Sequence, residues 1–220
     1  MSITSPKDII AKRVALEFED GMLVNLGRGI PLLVPKYLPK DYLVWCESEN
    51  GVIGVGPAPE KGKENPFLTD AANMPATILP GGCTFDSAKS FGIVRGGHLD
   101  YSVLGTFQVD QEGNIANWTV PGEAYTGMGG AMDLVAGAKK IIVATEHCDK
   151  NGLSKILKKC TFPLTGIKCV DIIVTELAFM VVTEAGLELR EVAPGISVEE
   201  VIAKTDAELI IPESVSEMPI

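Results

Sequence analysis

The chain has 220 residues, 46% hydrophobic and 22% charged, the balance of an ordinary globular protein rather than a disordered chain, a collagen or a disulfide miniprotein. At roughly 100–200 residues per domain, a single domain spanning residues 1–220 is expected. The 19 Lys and Arg against 29 Asp and Glu leave a formal charge of −10, which argues against non-specific binding to nucleic acid or an anionic membrane.

The chain opens with a helix signal. Ser5 suits an N-cap, Pro6 the first turn, and Ile9, Ile10, Val14, Ala15 and Phe18 follow at helical spacing until Gly21. Residues 22–26 read as a short buried strand. Gly27-Arg28-Gly29-Ile30-Pro31 is a turn opening a second short helix that ends near Tyr37. Residues 42–46 are apolar and β-favouring and predict a strand, followed by a glycine-rich turn or strand at 52–57 and an exposed charged loop at 58–65. Further short strands are expected at 76–79, 101–108, 141–145 and 172–182, and a late strand at 187–192. Gly127-Met128-Gly129-Gly130 precedes a helix over 131–137, and Ser197 caps a last helix with Glu199 and Glu200 in its first turn. Strands alternating with helices predict an α/β fold: an open, mixed, largely parallel sheet flanked by helices.

The N-terminal residues lack an apolar signal core, and no uncharged run reaches the ~18 residues of a membrane span. Five cysteines, an odd number without C-x-x-C spacing, fit reduced thiols in a cytoplasmic protein.

The segment richest in chemistry is Trp45-Cys46-Glu47-Ser48-Glu49-Asn50-Gly51. Charged residues directly after an apolar strand lie at its carboxyl end, the edge where open α/β sheets bind ligands. Glu49 is thereby a carboxylate beside an apolar, glycine-rich run. From spacing alone it is equally a general base, a metal ligand, a nucleophile or part of a polar Asn-Gly turn.

Ser48-Glu49-Asn50-Gly51-Val52-Ile53-Gly54 resembles the S-E-N-G signature of the β subunits of family I coenzyme A transferases. Phe85-Asp86-Ser87, Val94-Arg95-Gly96-Gly97-His98-Leu99-Asp100, Gly113-Asn114-Ile115-Ala116-Asn117-Trp118, Gly127-Met128-Gly129-Gly130-Ala131-Met132-Asp133 and Lys155-Ile156-Leu157 resemble the same β chains, in the same order. The similarity spans essentially the whole chain and is greatest to the β chains of the acetoacetate, butyrate–acetoacetate and 3-oxoacid CoA-transferase type. The resemblance implies that Glu49 is the nucleophile of a ping-pong CoA transfer through a glutamyl-CoA thioester. It implies contacts to substrate, CoA or a developing oxyanion at Asn50, Gly51, Gly54, Gly129 and Gly130. Trp45, Val52 and Ile53 are expected walls of the pocket, and Gly56 a second close backbone approach. CoA thioester is a co-substrate; no metal and no other cofactor is implied. The expected partner is a separate α subunit, as α2β2, without which the β chain would be inactive or weak.

Other residues receive plainer readings. Glu47, two residues before Glu49, is expected to be solvated or paired. His98 is expected to be structural, because the transfer needs no proton shuttle. His147-Cys148 lacks a second ligand pair at zinc spacing. Gly27-Arg28-Gly29 lacks the third glycine of a dinucleotide loop, since Leu32 stands in its place. Two other functions remain open at this level: a binding protein that kept the fold and lost catalysis, and an acyl-CoA hydrolase in which water intercepts the acyl intermediate.

Overall fold

The computed structural model describes residues 5–123 and 127–220. Residues 1–4, part of the segment read above for a signal core, lie outside them.

Helix α1 (Pro6–Ala15) starts as its sequence predicts, with the Ser5 side chain accepting the Asp8 amide. Strand β1 (Leu23–Leu26) follows. The second helix is a 3-10 helix (Ile30–Tyr37); Pro35 inside it has no amide proton for an α-helical bond, so the winding stays tight. Strand β2 (Trp45–Ser48) begins three residues later than expected. Its pairing with β1 sets that start, with Leu23 opposite Trp45 and Asn25 opposite Glu47. Glu47 and Ser48 are therefore inside the strand, and only Glu49 and Asn50 follow it.

Strands β3 (Val52–Gly56) and β4 (Thr77–Thr84) return antiparallel on β2. Helix α2 (Ser87–Arg95), capped by Asp86 on the Lys89 amide, was not anticipated; only Ser90 and Val94 of its side chains are buried, so it has almost no apolar period to read. The single strand expected over 101–108 is two. Strand β5 (Tyr101–Leu104) joins the main sheet, and β6 (Gln108–Asp110) pairs with β7 (Ile115–Ala116) in a smaller one. Helix α3 (Ala131–Gly137) lies where predicted, followed by β8 (Lys140–Ala144) and the short β9 (Ile156–Leu157). The expected strand over 172–182 is a hairpin of β10 (Ile172–Val174) and β11 (Ala178–Thr183). Thr175 breaks it: its Oγ1 accepts the Leu177 and Ala178 amides at 3.2 and 3.0 Å and closes the turn. Strand β12 (Gly186–Val192), helix α4 (Val198–Lys204) capped by Ser197, and the short β13 (Leu209–Ile210) and β14 (Ser216–Glu217) complete the chain.

The main sheet runs β13-β12-β11-β10-β8-β5-β1-β2-β3-β4, with β14 also beside β12. Its five central strands, β2, β1, β5, β8 and β10, are mutually parallel. Antiparallel β3–β4 extends one side and β11–β12 the other. Alternate residues of the central strands feed two cores. Ile141, Val143 and Ile173 pack with Val94 of α2, Leu134 of α3 and Val201 of α4. Ile142, Ala144, Ile172 and Val174 pack with Ile10, Ala11 and Val14 of α1 on the opposite face. With both faces covered, the carboxyl edge of the parallel strands is left open to solvent, as in other doubly wound sheets.

Candidate active site

The chain leaves β2 through a four-residue turn, Ser48-Glu49-Asn50-Gly51, closed by the Gly51 amide on the Ser48 carbonyl at 2.9 Å. Gly51 is required there. Its φ is +117°, and a Cβ at that position would stand 2.0 Å from the Phe85 carbonyl oxygen. The Phe85 amide in turn bonds the Gly51 carbonyl at 2.9 Å. The turn is thus locked to the start of α2, and Glu49 projects from the carboxyl end of β2 into a cleft of about 1440 Å³.

Across the cleft stands the head of α3. A Cβ on Gly130 would lie 2.9, 2.9 and 3.0 Å from Cδ, Oε2 and Oε1 of Glu49. Only a residue without a side chain lets the helix backbone approach the carboxylate so closely. Gly129, at φ +56°, faces open space in the same cleft. Gly127 and Met128 line it too, with Leu26, Leu104 and Leu134 as apolar walls and Arg28, Lys36 and Lys40 as cations.

Among the described residues the Glu49 carboxylate has no hydrogen-bond or ion-pair partner. Burial raises its pKa; the negative charge of Asp133 raises it further, and Arg28 opposes both. Asp133 belongs to the first turn of α3 and is itself held by Arg95 Nε at 2.7 Å. A carboxylate with little hydration and no donor is a stronger nucleophile than one in water.

Of the two expectations for Glu47, solvated or paired, the structure shows the second: it is paired through neutral hydrogen-bond donors and not with a cation. It is 3% exposed. Its Oε2 accepts Asn25 Nδ2 at 2.8 Å and its Oε1 accepts Ser90 Oγ at 2.8 Å, tying β1, β2 and α2 together beneath the turn. Burial raises its pKa, the two donors lower it, and the charge of Glu49 raises it.

The structure gathers Glu49, Gly129 and Gly130 in one cleft, together with Gly56. The others of the expected set lie beside it. Asn50 donates its Nδ2 to the Thr69 carbonyl at 2.8 Å. Gly54, at φ +84°, packs on Gly82 and the Trp45 indole. That indole lies along Gly54 and Gly81, so Trp45 covers the β3–β4 hairpin instead of walling the cleft; Val52 and Ile53 are not walls either, and Val55 and Leu79 take that place. His98 is exposed and away from the cleft, while Asp100 accepts the Leu23 amide at 2.9 Å and Lys139 Nζ at 2.7 Å. His147 is fully buried between the hydroxyls of Thr175 and Thr205, each at 3.0 Å, and burial lowers its pKa to about 4. Among the described residues no group of three or more His, Cys, Asp or Glu is arranged to hold a metal ion. Arg28 and Asp133 were missed as site residues. The available signals were weak: Arg28 follows the carboxyl end of β1, and Asp133 follows the glycine run within the first helical turn.

A shallower depression of about 710 Å³ lies at the amino ends of β8 and β10. Its Arg13 is already paired with Glu17 at 2.7 Å and Glu191 at 2.5 Å, so the larger cleft is the candidate site.

The family model for coenzyme A transferase matches residues 7–204. The chain belongs to the coenzyme A transferase family. As a member of that family it is a CoA-transferring enzyme chain. It is 51% identical over 215 residues to the β subunit of the acetate CoA-transferase of Haemophilus influenzae, covering 97% of this chain and 96% of that one. It is 50% identical over 198 residues to the mitochondrial succinyl-CoA:3-ketoacid coenzyme A transferase 2A of Rattus norvegicus, covering 89% of this chain but 38% of that one. Solved structures share the fold at lower identity. The acyl-CoA transferase apoenzyme of Escherichia coli O157:H7 aligns with a TM-score of 0.77 at 23% identity, over 99% of this chain and 44% of that one. Glutaconate coenzyme A-transferase of Acidaminococcus fermentans aligns with 0.72 at 19%, over 98% and 90%. The decarboxylase AibA/AibB aligns with 0.68 at 15%, over 99% and 90%, so the fold also carries other chemistry. Among the described residues no helix is long and apolar enough to cross a membrane.

Proposed function

We propose that the chain is the nucleophile-bearing β subunit of a CoA-transferase that moves CoA between short-chain carboxylic acids, with Glu49 as the acyl acceptor. The observation that carries this reading is the Glu49 carboxylate itself: unpartnered among the described residues, partly desolvated, and seated against Gly130 in the large cleft. The Glu49 carboxylate attacks the thioester carbonyl of an acyl-CoA, giving an acyl-glutamyl anhydride and CoA thiolate. The thiolate attacks the glutamyl carbonyl, giving a glutamyl-CoA thioester and releasing the first carboxylate. A second carboxylate attacks the glutamyl thioester and expels the thiolate. The thiolate then takes the new acyl group, and Glu49 is restored. Electron pairs balance at each step and no net proton is consumed.

Each attack places negative charge on a carbonyl oxygen. The backbone at Gly130 stands against the Glu49 carboxylate, and we assign it and the neighbouring Gly129 as the source of donors to that charge; one such donor is typically worth about 2.7–4 kcal/mol. Arg28 and Lys40 along the cleft suit the phosphates of CoA, whereas Lys36 is paired with Asp8 at 3.5 Å. Relatives named as β chains support a separate α chain as partner, with α2β2 as the assembly we propose, in the cytoplasm. Relatives named for acetate and for succinyl-CoA with a 3-ketoacid support short acyl groups, among which acetoacetate and butyrate are our first candidates.

Thioester turnover by the co-expressed complex, measured with and without an acceptor acid, tests the reading. Acceptor-dependent turnover supports transfer. Equal rates of CoA release in both conditions identify a hydrolase, and binding without turnover identifies an inactive acyl-CoA-binding protein.

A further inference from the structure

The residues on either side of Glu49 are both committed to one hairpin. Ser48 Oγ accepts the Ala71 amide at 2.8 Å, and Asn50 Nδ2 donates to the Thr69 carbonyl at 2.8 Å. The hairpin spans residues 68–76 and closes on itself. The Asp70 amide bonds the Met74 carbonyl at 2.9 Å, the Ala76 amide bonds the Leu68 carbonyl at 3.3 Å, and Thr69 bridges antiparallel to Pro75. Asp70 Oδ1 accepts the Ala72 and Met74 amides at 2.8 and 2.9 Å, and Asn73 supplies φ +60° at the tip. The hairpin therefore holds its own shape while hanging from both flanks of the nucleophile.

Asp70, Ala71, Ala72, Met74, Pro75 and Ala76 line the cleft. Because the Asp70 carboxylate is engaged by backbone amides, the hairpin offers the cleft small and apolar side chains with no cation. The cations of the cleft, Arg28, Lys36 and Lys40, come from other segments. Phosphates and an aliphatic acyl chain would sort between these two surfaces. A wall hydrogen-bonded on both sides of Glu49 is fixed relative to the carboxylate, and an acyl group resting on it would be fixed likewise, where a 1 Å error costs about 10²-fold.

We propose that residues 68–76 form the acyl-facing wall of the cleft, held in register with Glu49 by Ser48 and Asn50, and that Met74 sets the length of acyl chain accepted. Ser48 and Asn50 are then positioning residues. The inference rests on Glu49 as acyl acceptor.

The test is the single-turnover rate of borohydride-trappable adduct formation by the co-expressed complex with acetyl-, butyryl- and hexanoyl-CoA. Met74→Ala should raise the hexanoyl-to-acetyl ratio by about tenfold, the low end of what one methylene is worth in a pocket. Ser48→Ala and Asn50→Ala should slow adduct formation and flatten the chain-length profile, while Ser48→Thr, which keeps the accepting oxygen, should restore it. A merely structural role would lower the amount of active protein equally for all three substrates. Trappable adducts with an unchanged profile in Met74→Ala and Asn50→Ala overturn this inference alone. No adduct in the wild type with any substrate overturns the Glu49 reading and this inference with it.

Discussion

Replacing Gly130 by alanine separates catalysis from folding at a single methyl group. The backbone there has φ −86° and ψ −1°, a conformation alanine adopts freely. The added Cβ would stand 2.9–3.0 Å from three atoms of the Glu49 carboxyl, against 3.4–4 Å for ordinary contact. Relief requires the carboxylate to retreat by roughly half to one ångström, which its flexible side chain permits at little cost to stability. The same retreat takes the attacking oxygen off its line, and a misplacement of that size costs about 10²-fold, or about 2.7 kcal/mol of barrier. Steady-state transfer from acetoacetyl-CoA to acetate, alongside a thermal melt, reads both quantities. A Gly130→Ala complex with unchanged Tm and kcat down about 10²-fold is expected. A kcat within twofold of the wild type would refute the reasoning and leave Gly130 a packing residue.

Glu49→Gln should abolish transfer and raise Tm at neutral pH. The folded pKa of Glu49 lies above its ordinary 4.5, so the native state holds the proton longer than the unfolded chain and loses stability as pH rises through that window. The advantage of the glutamine variant should therefore be small near pH 4 and grow toward pH 7; a variant less stable at pH 7 than at pH 4, relative to wild type, contradicts this. Glu47→Ala strands the buried Asn25 amide and Ser90 hydroxyl and should cost on the order of 2 kcal/mol in urea unfolding. Gly51→Ala meets the Phe85 carbonyl at 2.0 Å with φ +117° and should cost on the order of 3 kcal/mol, seen as a large drop in soluble yield or Tm. His147 is neutral and buried, with its pKa lowered from 6.5 to about 4. The unfolded chain takes up its proton first, so stability falls as pH drops from 6.5 toward 4, by on the order of 3 kcal/mol. His147→Gln should flatten that part of the pH–stability curve.

The sequence was most informative where local chemistry decides structure. Ser5, Pro6 and Ser197 mark helix starts because capping is a short-range hydrogen bond, and the glycine run at 127–130 marks the start of α3. Strand limits were less legible, because tertiary pairing sets them: β2 starts at Trp45 where β1 receives it, and Thr175 divides two strands that one apolar run had joined. Helix α2 buries too few side chains to show a period. In the site, Glu49, Gly129 and Gly130 were found from the resemblance, whereas the plain residue pattern left Glu49 open among several roles. The direction of Trp45, the bridging of Glu47 by Asn25 and Ser90, and the approach of Asp133 and Arg28 depend on contacts between residues up to 84 positions apart. No local pattern encodes those.

The central claim is a covalent bond between Glu49 and CoA. The measurement that tests it most directly is the intact mass of this chain, co-expressed with its partner, after incubation with acetoacetyl-CoA and no acceptor acid, then after borohydride. The account predicts a CoA adduct mapped to the peptide containing Glu49, replaced by the mass of the reduced alcohol after borohydride and absent in Glu49→Gln. A complex that turns over acetoacetyl-CoA in the presence of acetate while its β chain shows no adduct, or shows one on another residue, would contradict it.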